Sequence, residues 1–106
     1  MKINQITLQE PFFSQDKIKA WKVFSGHETE QILMILEANA VLKAHQTEFD
    51  LNVLVIKGKF NFILENESFL MNENEFSACQ GNIPHGLENP YDSPAHILLT
   101  KILKNK

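Results

Sequence analysis

Apolar residues along this chain recur at every second position in short runs, and Gly, Asn, Ser and charged clusters break those runs at close intervals. That is the period of β-strands. The longest run, Asp50 to Ile56, is mostly β-branched or aliphatic, and alternation places Leu51, Val53 and Val55 on one face and Asn52, Leu54 and Ile56 on the other. Both faces are largely apolar. Such a strand lies between two layers or has one face covered by a partner. Lys57-Gly58-Lys59 interrupts the run and Phe60 to Leu64 resumes it, which predicts a hairpin around Gly58.

The flanking segments follow the same period. Lys17 to Phe24 alternates lysines with apolar residues, as a half-buried strand does, and ends at Ser25-Gly26. Gln31 to Glu37 is a short apolar run, and the turn residues Ala38-Asn39-Ala40 behind it favour a buried strand. Val41-Leu42-Lys43 leads into His45. Beyond the central pair come a turn at Glu65-Asn66-Glu67, a strand at Ser68 to Met71, a turn at Asn72-Glu73-Asn74 and a strand at Glu75 to Cys79. A loop from Gln80 to His85, a short strand at Gly86 to Glu88, a loop from Asn89 to Pro94 and a last strand from His96 to Ile102 complete the pattern. The first fifteen residues, with Ile3, Ile6, Leu8, Phe12 and Phe13, read as an edge strand or a segment packed over the body. Many short strands without a long amphipathic helix predict a sandwich or small barrel.

Composition narrows the class. The 106 residues are 43% hydrophobic and 22% charged, with four Gly and four Pro, as expected for one globular domain spanning residues 1–106. The net charge of -3 and singly scattered lysines give no footprint for nucleic acid or an anionic membrane. One cysteine, Cys79, cannot form an internal disulfide. With no signal-peptide core and no window of membrane-spanning length, the expectation is a cytoplasmic protein. Cys79 itself is expected to be buried and inert, since no basic residue nearby in sequence would lower its pKa.

Two histidines fall at telling intervals. His45 stands six residues after Asn39, with Thr47, Leu51 and Gly58 following at spacings of two, six and thirteen. His85 stands eleven residues after Asn74, with Gln80 and Asn82 between them and Asn89 four residues on. This arrangement resembles the two motifs of the cupin superfamily over Ile32 to Leu103. In the line-up, Asn39, Asn74 and Asn82 occupy family glycine positions, Thr47 the second histidine, Leu51 the glutamate and Gln80 the proline. Asparagine tolerates positive φ best after glycine, so the three exchanges preserve left-handed turns. A closer likeness is to small single-domain cupins in which His is followed five residues later by Asp, as in His45 and Asp50, and whose ends carry an Asp-Ser pair before a leucine-rich strand, as in Asp92-Ser93 and Ile97 to Thr100. The resemblance implies an all-β fold, the double-stranded β-helix or cupin-type jelly-roll barrel.

It also implies a site inside the barrel. Metal-binding cupins hold a divalent transition metal with three histidines and a glutamate. Here only His45 and His85 remain as metal candidates, because Thr47 offers a neutral hydroxyl and Leu51 offers nothing. Asp50 neighbours Leu51, and alternation turns it the other way. The expected site is a small-molecule pocket lined by His45, Thr47, Leu51, Phe60, Phe62 and His85, with the two histidines as hydrogen-bond donors. Two functions of different class follow. One is a metal-free binding module, expected to pair as a homodimer that covers the apolar strand Leu51 to Ile56. The other is a metal-dependent oxygenase or isomerase using His45 and His85 as ligands. His27 and His96 have no matching family positions and are expected on the surface.

Overall fold

A computed structural model describes residues 3–103. Ten strands follow one turn of 3₁₀-helix at Ile6–Leu8: β1 (Phe13–Gln15), β2 (Ile18–Ser25), β3 (Thr29–Leu36), β4 (Val41–His45), β5 (Asp50–Lys57), β6 (Phe60–Leu64), β7 (Glu67–Met71), β8 (Phe76–Cys79), β9 (His85–Glu88) and β10 (Ala95–Ile102). They form two antiparallel sheets, ordered β1-β2-β3-β10-β5-β8 and β4-β9-β6-β7. Each late strand inserts between two earlier ones. β10 pairs with both β3 and β5, and β9 with both β4 and β6, which is the jelly-roll solution to sheet edges.

The period-2 pattern explains the core. Ile18 and Ala20, Ile32 and Met34, Leu51, Val53 and Val55, and Ile97 and Leu99 point inward from the larger sheet. They meet Phe60, Phe62, Met71 and Leu87 from the smaller one. Leu54 and Ile56 take the outer face, half-buried and exposed respectively. The N-terminal segment combines the two expected forms. Its 3₁₀ turn precedes an edge strand, and the Trp21 indole N–H donates to the Gln9 carbonyl at 2.9 Å; Met1 and Lys2 lie outside the described residues.

The expected hairpin around Gly58 does not form. β5 ends in the six-stranded sheet and β6 begins in the four-stranded one, so the chain turns a corner between layers instead of pairing back on itself. Gly58 has φ +79°, and a Cβ there would lie 2.5 Å from the Pro94 carbonyl oxygen. Glycine is needed at that corner both for its backbone angle and for the close approach of the Pro94 segment. An interrupted apolar run has the same local signature in either case; which strands pair is decided by β10 and β9 arriving later.

The asparagine turns do form as expected, with φ of 69° at Asn39, 71° at Asn74 and 68° at Asn82. Lys17 and Glu65 share the conformation without a sequence signal, both in tight connections between paired strands. Asn89 is fully buried and acts as a bracket. Its Nδ2 donates to the Leu36 and Ser93 carbonyls at 2.9 and 2.8 Å, and its Oδ1 accepts from the Tyr91 N–H at 3.1 Å. Among the described residues no helix is long and apolar enough to cross a membrane.

Candidate functional site

β4 and β9 are neighbours in the smaller sheet, and His45 and His85 sit directly opposite each other on them. The approach depends on an irregularity. Val41 pairs with Glu88 and Leu42 with Leu87, but the next matched pair is His45 with His85, so Lys43 and Ala44 both oppose Gly86. This is a β-bulge. It places His45 on the same face as Leu42, three residues earlier, and that is the face on which His85 and Leu87 are buried.

The imidazole centroids lie 4.4 Å apart with the rings tilted by 57°. Behind them stands Phe62, whose ring is 6.4 Å from His85, and then Phe60 at 6.1 Å from Phe62. The four rings run from the fully buried core at Phe60 to the exposed rim at His45. Burial pushes the His85 pKa down; its bond to the Ile83 carbonyl opposes this and the nearby His45 adds to it. His85 is therefore neutral at neutral pH. Its Nδ1 lies 3.1 Å from the Ile83 carbonyl, and the Nδ1 of His45 lies 3.3 Å from the Lys43 carbonyl. A carbonyl only accepts, so each Nδ1 carries the proton, and Nε2 of neutral His85 is an acceptor. This corrects the expectation that His85 donates to a ligand.

Two loops frame the pair, one joining β4 to β5 and the other β8 to β9. The Asn82 N–H donates to the Thr47 carbonyl at 2.7 Å, the Gln46 side-chain amide donates to the Asn82 carbonyl at 2.7 Å, and the Gly81 N–H donates to Asp50 Oδ1 at 2.8 Å. Asp50 thus pins the loop that leads to His85. Thr47 keeps its hydroxyl within its own loop, donating to the Phe49 carbonyl at 3.2 Å. Leu51 lies in the other sheet, buried in the core and paired with Cys79 and Lys101.

Fitness for a metal follows from this donor set. Among the described residues no group of three His, Cys, Asp or Glu side chains converges, so His45 and His85 have no third ligand of those types. The four-ligand centre that the resemblance implies does not fit the residues present. Cys79 is buried with its thiol 3.4 Å from the Gln80 carbonyl, and burial, then the Asp50 charge, pushes its pKa up. His27 is exposed, whereas His96 is half-buried on the outer sheet face, its pKa lowered by burial and by Lys57.

His45 also borders a groove of about 610 Å³ between β1 and β4, the free edges of the two sheets. Ala20, Ile32 and Met34 line it from the larger sheet, and Phe12, Phe13 and Leu42 from the strand edges. Sequence reasoning singled out none of these as site residues. Their alternation reads as ordinary core, and only the open edges convert that core into a wall.

No family model and no curated protein matches this chain. Solved structures do. KdgF from Halomonas sp. matches with a TM-score of 0.79 over 93% of this chain and 91% of its own, at 18% identity. An RmlC-like cupin from Shewanella frigidimarina NCIMB 400 gives 0.80 over 92% and 86%, at 13% identity. The polyketide cyclase RemF from Streptomyces resistomycificus gives 0.81 over 98% and 80%, at 15% identity. At these identities the likeness fixes the fold and leaves the chemistry to the residues.

Proposed function

On the frame of a cupin fold, we propose that this chain is a metal-free module that binds a small organic molecule against the His45–His85 pair. The carrying observation is that pair itself: two imidazoles 4.4 Å apart, one of which, His45, lines an apolar groove, with no third His, Cys, Asp or Glu among the described residues converging on them. A groove of this size, mostly apolar with a few polar side chains in its lining, has the character of a ligand site. RemF is named a cyclase, yet the chemistry of a site resides in its side chains. The arrangement here supplies orientation and hydrogen bonding. The buried free thiol of Cys79 suits a cytoplasmic location.

A ligand-observed NMR screen of a small-metabolite panel, run with and without chelator, tests the reading. Binding should be unchanged by chelator and weakened by His45→Ala and by His85→Asn. Binding that requires added metal would favour the enzyme reading instead.

We also propose that two copies pair through the outer face of the six-stranded sheet. Leu33, Leu98, Leu54 and Phe76 sit side by side on four adjacent strands, and Phe76 is 72% exposed. The neighbouring row, Gln31, Thr100, Asn52 and Ala78, is uncharged. Such a face meets its own copy without bringing like charges together. Light scattering should give a dimer at micromolar concentration and a monomer for Phe76→Lys; a monomeric parent would remove the proposal.

A further inference from the structure

We propose that the groove between β1 and β4 takes a small apolar molecule bearing a carboxylate, which pairs with the ammonium of Lys43. The proposal rests on the small-molecule reading above and names the ligand class. Its basis is the charge of the lining. The polar side chains there are Gln15, Lys43 and His45, with no Asp or Glu, although the chain carries 13 acidic residues against 10 basic ones. Lys22 and Lys101 both pair with Glu30, at 3.4 and 3.7 Å, whereas Lys43 has no ion pair among the described residues. An apolar trough lined, among the described residues, by one lysine without an ion pair and by no carboxylate is complementary to an apolar acid.

The shape favours a small molecule over an added peptide strand. A peptide would need a continuous free edge, but β1 has only three residues and the bulge at Lys43 and Ala44 breaks the ladder direction of β4. The same bulge carries Lys43, which lines the groove together with His45.

Calorimetric titration with octanoate and 4-phenylbutyrate, their amides, and octylamine tests this. The acids should bind at least about tenfold more tightly than the amides, with the amine weakest, and added salt should narrow the gap. Lys43→Gln should reduce the acids to the affinity of the amides while leaving the amides unchanged, and Lys43→Arg should retain the preference. Lys43 is exposed, so these variants should keep the fold. Val41→Trp, which fills the groove from its exposed rim, should abolish binding of acids and amides alike. Amides that match the acids, or an acid preference that survives Lys43→Gln, overturn the carboxylate assignment while leaving the groove as a ligand site. Binding that survives Val41→Trp, or no binding of any probe at millimolar concentration, overturns the groove as well.

Discussion

Gly86 lies so close to the bulged backbone of β4 that a Cβ on it would sit 2.9 Å from the carbonyl oxygen of Leu42 and 3.1 Å from the amide nitrogen of Ala44. The two histidines face each other because this one residue lets β4 fold in against β9.

Gly86→Ala should therefore do more than destabilise. The strain of moving backbone rather than a flexible side chain should cost on the order of 1–3 kcal/mol in urea unfolding. It should also part the rings of His45 and His85, shifting the imidazole proton resonances of both. A variant with parental stability and unchanged imidazole resonances would show that the bulge does not depend on glycine.

Asn89 holds the segment after β9 to the end of β3. Replacing it with alanine leaves the carbonyls of Leu36 and Ser93 and the N–H of Tyr91 without their side-chain partner in a buried setting, and should cost about 3 kcal/mol or more. Asn89→Asp should not rescue it, because a carboxylate cannot donate to two carbonyls. Chemical denaturation of both variants checks the pair.

The left-handed turns at Asn39, Asn74 and Asn82 should accept glycine at little cost. Alanine at each should lower stability by about 1 kcal/mol, since only the glycine or asparagine backbone adopts that region readily. Equal melting temperatures for the Gly and Ala variants would contradict the assignment.

These turns show how much of the fold a single sequence carries. Spacing and residue type pointed to three positive-φ asparagines, to the alternating core face of β5, and to two histidines that come to lie beside each other. What escaped was anything decided between distant segments. The corner at Gly58 reads locally as a hairpin, because pairing depends on β9 and β10 inserting from the far end of the chain. The roles of Gly86 and Asp50 were hidden for the same reason: one answers a bulge in β4, the other an N–H at Gly81. Lys17 and Glu65 adopt positive φ because the strand pairs around them demand tight turns, against their own preference.

Stability should fall on acidification through the histidine range. His85 and His96 both have lowered pKa values in the folded protein, each chiefly by burial, so below the usual histidine value of about 6.5 the unfolded chain takes up more protons than the folded one. Their contribution is complete above that value and is lost as the pH drops toward the lowered ones. Melting temperatures measured across this window should decline for the parent and less steeply for His85→Asn. A parent profile that rises with acidification would have the wrong sign.

Whether the His45–His85 pair serves a ligand without a complete metal centre is decided by thermal melting with and without zinc or manganese, in the parent and in Thr47→His/Leu51→Glu. The parent should respond little. The double variant places a carboxylate in an apolar interior, so without metal it should melt lower than the parent. If the four positions converge, metal should restore its melting temperature by mass action, and His85→Ala should abolish that recovery. A parent that binds metal stoichiometrically and melts much higher in its presence would overturn the metal-free reading, whereas a folded double variant indifferent to metal would show that Thr47 and Leu51 do not face the pair.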